Sequence, residues 1–135
     1  MDQCKYNVSF EPFAERHFIK SFAKKYKSSW TKTRDSIEFM CQHIDNVLKS
    51  QRADLITESS DGNYRLVKLD FAIFGIKVSP KRSGNRCILC VDDEMRLVRV
   101  LLVYAKTDLP SRNETQEWKR LVRDEYKDVR ELFNL

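Results

Sequence analysis

The stretch RCILCVDDEMRLVRVLLVYA, residues 86–105, places two apolar runs on either side of three consecutive acids, Asp92, Asp93 and Glu94. Short runs rich in Val, Ile, Leu and Tyr and bounded by turn formers read as strands, and so brief a turn makes neighbouring strands antiparallel. Arg86–Val91 and Leu97–Ala105 are therefore expected to form two strands of a meander. Successive strand side chains point to opposite faces, so Cys87 and Cys90, three residues apart, are poorly placed to share a metal or a disulfide. The longest unbroken apolar run, Val100–Ala105, falls far short of the roughly 20 residues that a membrane-spanning helix needs.

Working outward, Ser79–Asn85 (SPKRSGN) reads as a basic loop, and Tyr64–Val78 as a long strand. Leu55–Glu58 precedes it as a short edge strand or hairpin partner, with Asp61-Gly62 as the turn signal. Asp108–Asn113 reads as loop, and Trp118, Leu121, Val122, Val129, Leu132 and Phe133 mark a closing helix begun by Asn113 or Glu114. At the other end Tyr6–Phe10 (YNVSF) is an alternating strand stopped by Glu11-Pro12, and Pro12 suits a first helical turn. Phe13, Phe18, Phe22, Tyr26 and Trp30 form one helical stripe, and Ile37, Met40, Cys41, Ile44 and Leu48 a second. Ser28-Ser29 separates the two, with Thr31 or Thr33 as N-cap, so the helices are expected as antiparallel neighbours. The result is an α+β fold in one domain over residues 1–135. A strand and helical hairpin (1–50) and a C-terminal helix (113–135) pack on a small, mainly antiparallel twisted sheet (54–106).

The chain has 135 residues, 41% hydrophobic and 33% charged, with 3 Gly and 3 Pro, which suits a globular fold and excludes a disordered or collagenous chain. Its +5 charge is uneven, with +5 over residues 1–34, −3 over 35–76, +4 over 77–112 and −1 over 113–135. Two basic segments folded onto one face would make a footprint for a polyanion. Charges begin at Asp2, so a soluble cytoplasmic protein is expected, with no membrane partner. Cys4, Cys41, Cys87 and Cys90 complete no zinc set and read as reduced, buried residues. No metal or other cofactor is expected. His17 and His43 fall on the predicted N-terminal helices, as surface or packing residues.

The order strand, helical hairpin, meander, helix accompanies a set of short motifs: Ile76-Lys77-Val78, Gly84-Asn85-Arg86-Cys87-Ile88-Leu89, Val91-Asp92-Asp93-Glu94 and Val100–Lys106. Together they resemble the RelE/ParE toxin superfamily, and the Val-Tyr-Ala-Lys ending is most similar to its HigB-like branches. The close likeness spans about residues 74 to 109. It implies the toxin of a type II toxin–antitoxin system, a ribosome-dependent messenger-RNA endonuclease held inactive by a cognate antitoxin. Metal-free RNA cleavage uses the 2′-hydroxyl as nucleophile, so the protein must move two protons and stabilise a crowded phosphate. Lys and Arg can supply most of this, since a lysine among other cations has its pKa lowered while an arginine stays charged.

Carried over residue by residue, the resemblance implies Arg86 as transition-state anchor, Lys77 as a proton-transfer or phosphate group, and Lys106 as a second cation. Tyr104 would stack on a base or donate its hydroxyl from the same strand face as Lys106, and Lys81 and Arg82 would contact the RNA backbone. Ordinary structural roles compete, because Arg86 can pair with the acidic turn and Tyr104 can be core. Gly75 stands where the RelE branch has a second lysine, and the C-terminal tyrosine of some relatives has no clear counterpart unless Tyr126 approaches the sheet. A ParE-like gyrase inhibitor and a non-catalytic nucleic-acid or partner-binding module of the same fold are the alternatives. The basic helix face Arg16, Lys20, Lys24 and Lys27 is expected to meet ribosomal RNA, an acidic antitoxin arm, or only water. The oligomeric state stays open.

Overall fold

The structure, a computed structural model, describes residues 5–110 and 113–135. Strand β1 (Asn7–Phe10) leads into a first helical run, α1, made of Pro12–Ala14, a π-helical segment Glu15–Ile19 and Lys20–Tyr26. Helices α2 (Ser28–Gln42) and α3 (Ile44–Lys49) follow, then strands β2 (Ala53–Glu58) and β3 (Tyr64–Phe71). A one-turn helix α4 (Pro80–Ser83) precedes β4 (Asn85–Asp92) and β5 (Leu97–Ala105), and a 3₁₀ turn (Lys106–Asp108) leads to α5 (Glu114–Glu125) and α6 (Lys127–Phe133). The five strands form one sheet in the order β1-β5-β4-β3-β2, with β1 parallel to β5 and the other pairs antiparallel. The mixed α+β class and the meander follow the sequence reading. Among the described residues no helix is long and apolar enough to cross a membrane.

Strand alternation gives the sheet two apolar faces, each with its own helical layer. Cys87, Leu89 and Val91 of β4 join Val67, Leu69 and Val103 under the α1–α2 hairpin, against Phe22, Trp30 and Ile37. Ile88 and Cys90 join Leu66, Leu102 and Tyr104 under α5 and α6, against Trp118, Val122 and Val129. A bulge in β5 pairs Ile88 with Leu102 and Leu89 with Val100. It leaves Leu101 as the extra residue, on the α5–α6 face beside Leu102. The two thiols of the C-x-x-C thus lie in separate cores. Burial pushes the Cys41 and Cys87 thiols up, and that of Cys90 to about 12. Cys4 lies outside the described residues.

Several sequence-drawn boundaries shift. Strand β3 ends at Phe71 rather than Val78, because the next residues leave the ladder: the Phe74 amide donates to Thr33 Oγ1 at 2.8 Å and Gly75 turns with φ +85°. Lys77 therefore sits on a loop, not a strand. The expected loop Ser79–Asn85 contains α4, with Pro80 in its first turn, Ser79 Oγ accepting from the Arg82 amide at 3.4 Å, and Gly84 closing it at φ +77°. Asn85 already belongs to β4.

The first helix breaks at Lys27, so Trp30 belongs to α2 and stacks back on Phe22 at 4.9 Å between ring centroids. Arg34 pairs with Glu15 at 2.5 Å, consistent with an antiparallel hairpin. Thr31 and Thr33 lie inside α2 rather than capping it, and the Thr33 hydroxyl donates to Ser29 O at 2.8 Å while accepting from Phe74. The second stripe is interrupted at His43 and the closing helix at Tyr126, both in non-helical backbone. Asn113 does cap α5, accepting from the Gln116 amide at 3.0 Å. The acidic turn is held by Arg65, which donates to Asp93 at 2.7 and 3.0 Å and pairs with Asp45 at 2.9 Å.

Lys27 makes the hairpin turn with φ 54° and ψ −120°, a conformation that glycine enters freely and an L side chain enters at a cost. Lys27→Gly is expected to raise unfolding free energy by about 1 kcal/mol in urea titration, with no change in the far-ultraviolet circular dichroism of the folded state.

Candidate functional site

Asp70, Arg86 and Tyr104 are register partners across β3, β4 and β5. Alternation points all three toward the α5 side, where the first turn of α5 brings Glu114. Arg86 Nε lies 3.1 Å from Asp70 Oδ1 and 3.5 Å from Glu114 Oε2, and the Tyr104 hydroxyl donates to Glu114 Oε2 at 2.6 Å. The side chains of Arg86, Asp70 and Glu114 are only 12%, 7% and 14% exposed, and Tyr104 is fully enclosed. Burial pushes the Asp70 carboxyl up from the usual carboxylate range, and the Arg86 charge offsets part of that push. Burial, reinforced by the bond to Glu114, also raises the Tyr104 phenol, which stays protonated as a hydrogen-bond donor.

This cluster joins β3, β4, β5 and α5 through one guanidinium shared by two carboxylates. Arg86 is engaged at the opposite end of β4 from the acidic turn, and Tyr104 presents no ring face to solvent for a base to stack on. Strand β5 ends at Ala105, so Lys106 begins the 3₁₀ turn and does not continue Tyr104's strand face. Tyr126 is likewise fixed in the core, its hydroxyl donating to Leu101 O at 2.7 Å.

The other sequence-nominated residues gather at the rim of the same sheet end. Lys77, Lys81, Arg82 and Lys106 are all exposed, and among the described residues none of them has an ion-pair partner. The single turn of α4 carries Lys81 and Arg82. Its closing Gly84 accepts from the Lys106 amide at 2.7 Å, so Lys106 lies beside that turn. Lys77 stands on the loop between Ile76 and Val78, which are 47% and 42% exposed.

Ile76, Val78 and Arg82 line a cleft of about 310 Å³ between α1, α4 and the end of β5. Lys25, Ser83, Asn85, Thr107 and Asp108 add polar groups to its lining. A neighbouring cleft of about 360 Å³ shares Lys25, Tyr26, Ala105 and Asp108 and extends to His17 and Ser21. His17 is exposed, its ring 4.4 Å from Phe13, and His43 packs 4.7 Å from Phe39. Arg16, Lys20, Lys24 and Lys27 are exposed on the hairpin. Lys25 is one of several helical lysines and Asn85 falls in the expected loop, so neither stands out in the sequence as a cleft residue. Sequence reasoning misses the two acids that engage Arg86, because Asp70 and Glu114 meet it only through strand register and helix docking.

No family model and no curated protein matches the chain. Among solved structures it is similar to a crystal structure of the archaeal RelE–RelB complex from Pyrococcus horikoshii OT3, at 14% identity and a TM-score of 0.48, over 77% of this chain and 98% of that chain.

Arg86→Ala leaves two largely buried carboxylates without their cation, which is expected to cost about 3–5 kcal/mol of stability in urea unfolding. Adding Asp70→Asn and Glu114→Gln to that variant is expected to restore most of the loss. A stability unchanged in Arg86→Ala would mean that the cluster does not hold α5 to the sheet.

Proposed function

We propose that the protein is a RelE/ParE-type toxin of a type II toxin–antitoxin system, a cytoplasmic endoribonuclease that acts on messenger RNA at the ribosome. One observation carries the reading: four exposed cations without ion-pair partners among the described residues, Lys77, Lys81, Arg82 and Lys106, gather at one end of the sheet. They lie within the segment, residues 74 to 109, whose motifs resemble that superfamily. Unpaired cations beside a concave surface suit an RNA backbone, whose phosphates they neutralise.

In the reaction, the 2′-oxygen attacks the adjacent phosphorus and the P–O5′ bond breaks, leaving a 2′,3′-cyclic phosphate and a 5′-hydroxyl. A general base accepts the 2′-proton, and a general acid returns a proton to the departing 5′-oxygen. Lys77 and Lys106 are the groups assigned to these transfers. Arg82, with Lys81, holds the phosphate as a permanently charged fork. Arg86 serves in this reading as a positioning residue: it fixes β4 and α5, and with them the frame on which α4 and Lys106 sit. A cognate antitoxin with an acidic segment inhibits by covering the same cations.

Induced expression of the wild type is expected to arrest translation and generate messenger-RNA fragments with cyclic-phosphate ends. Joint replacement of Lys77, Lys81, Arg82 and Lys106 by alanine is expected to abolish both while changing stability by no more than about 0.5 kcal/mol per site. In equilibrium binding to single-stranded RNA, the slope of log K against log salt is expected to become shallower by about 0.7 per phosphate contact removed. DNA damage with intact messenger RNA would instead indicate a gyrase inhibitor, and folded protein without effect on growth a binding module.

A further inference from the structure

The turn after α3 and the single turn of α4 form two fixed walls at the end of the β2–β3 ladder. Gln51 takes a left-handed backbone with φ +64°, its amide donates to Leu48 O at 3.1 Å, and the Arg52 amide donates to Val47 O at 3.1 Å. These bonds satisfy carbonyls at the end of α3 and set the path of Ser50, Gln51 and Arg52. On the opposite wall the Ser83 hydroxyl donates to Phe71 O at 2.6 Å, which ties α4 to the end of β3. Between the walls lies a cleft of about 430 Å³, lined by Ser50, Gln51, Arg52, Ser79 and Lys81 and, from β3, by Asp70. Asp70 is 5% exposed, and among the described residues its Oδ1 has no hydrogen-bond partner. The 3.1 Å approach of Arg86 Nε is an ion-pair contact without hydrogen-bond geometry, and Nε is likewise left without such a partner. Arg86 also serves Glu114, so one positive charge is shared by two carboxylates and Asp70 keeps unused acceptor capacity. Buried acceptors in folded proteins are nearly always filled, and one that lines a cleft marks where an outside donor completes the set.

We propose that this cleft binds a free ribonucleotide, its phosphate on Arg52 and Lys81 and its ribose hydroxyls on Asp70. The site goes beyond the RNA reading of the rim and does not depend on it. Arg52 and Lys81 are exposed, and among the described residues neither has an ion-pair partner, so both are available to a phosphate. Burial raises the Asp70 carboxyl and the charges of Arg86, Lys68 and Lys81 oppose that rise, so Asp70 feels Lys81 across the cleft. These two cations turn away a ligand whose only charge is positive, although such a ligand would suit Asp70 by itself. Inorganic phosphate has the opposite fault, since it satisfies the cations and leaves the carboxylate unfilled. A ribose phosphate carries both complements: its anionic end meets Arg52 and Lys81, and its neutral hydroxyls donate to Asp70. A carboxylate that accepts from a ribose hydroxyl is a recurrent device in nucleotide sites. The volume, about 430 Å³, falls in the range of small-molecule sites. The exposed Gln51 carboxamide adds one more donor and acceptor to the lining.

The test is calorimetric titration of the full chain at low salt with adenosine 5′-monophosphate, its 2′-deoxy analogue and inorganic phosphate. The ribonucleotide is expected to bind about tenfold more tightly than the deoxynucleotide, through the hydroxyl that Asp70 accepts from. Asp70→Asn, which keeps the side-chain volume, is expected to remove most of that difference. Arg52→Ala is expected to weaken both nucleotides by about tenfold, and Ser50→Trp, which fills the cleft from an exposed position, to abolish binding with the circular dichroism of the folded chain unchanged. A wild type that binds no ribonucleotide, that binds the ribo and deoxy forms equally, or that holds inorganic phosphate as tightly as the nucleotide overturns the site. Binding that survives Ser50→Trp does the same. A 5′-phosphorylated RNA trimer that binds where the mononucleotide does not assigns the cleft to an RNA end and likewise overturns a free-nucleotide site.

Discussion

Two-sided burial of β4 and β5 is the constraint on which the rest of the molecule depends. Strand β4 is flanked by sheet on both edges and by helices on both faces, and from Cys87 to Val91 every residue is essentially excluded from water. The run therefore reads CILCV, apolar at every position instead of alternating. A strand of this kind cannot carry an exposed functional group along its length. Polar chemistry is pushed to its two ends, where the ladder stops and loops reach solvent, and the protein uses both ends differently.

At one end Tyr6, Asp45, Arg65 and Asp93 form a closed network. The Tyr6 hydroxyl lies 2.6 Å from Asp93 and 3.1 Å from Asp45, and Arg65 bridges both acids, fixing β1, α3, β3 and the acidic turn together. At the other end Arg86 plays the matching part for β3, β4, β5 and α5. Each arginine shares its charge between two carboxylates and ties several elements together. Taking the groups of the Arg86 cluster out of water costs several kcal/mol per ion and is repaid only with good geometry, so that cluster is better understood as setting register than as adding stability. Neither leaves a cation free to meet a ligand. Cations without ion-pair partners among the described residues stand one step further out, on α4, on the loop before it and on the turn after β5, as they also do on the outer face of the hairpin.

What the sequence made legible follows from this layout. The meander, the two apolar stripes of the hairpin, the capping Asn113 and the separation of Cys87 from Cys90 are all consequences of local periodicity, and they are visible without neighbours. The end of β3 was not, because Ile73, Ile76 and Val78 continue the apolar pattern beyond Phe71, while what ends the strand is a contact from Thr33, 41 residues upstream of Phe74. The break at Lys27 was equally hidden, since lysine is not a residue that announces a positive φ. For the site, type and order nominate Lys77, Arg86, Lys106 and Tyr104 for the chemistry and Lys81 and Arg82 for RNA contacts. They do not show that Arg86 and Tyr104 are enclosed while the four other cations are exposed, because the partners of Arg86, Asp70 and Glu114, lie 16 and 28 residues away in sequence and arrive by register and docking.

The closure of Arg86 by α5 decides how chemistry at this end has to be organised. For Arg86 to reach a phosphate directly, Glu114 would have to withdraw, taking with it the Tyr104 hydroxyl bond and the first turn of α5, while Trp118 and Val122 keep the rest of that helix against the sheet. An incoming phosphate would have to compete with two carboxylates already within 3.5 Å of the guanidinium. The rim cations require no such rearrangement: they are solvated and unpaired among the described residues, with Arg82 and Lys81 lining separate clefts on either side of α4. A polyanion approaching this end therefore meets the rim first and is held there at lower cost. On the proposed reading the buried arginine acts by keeping β4 and α4 in a fixed place beneath the rim.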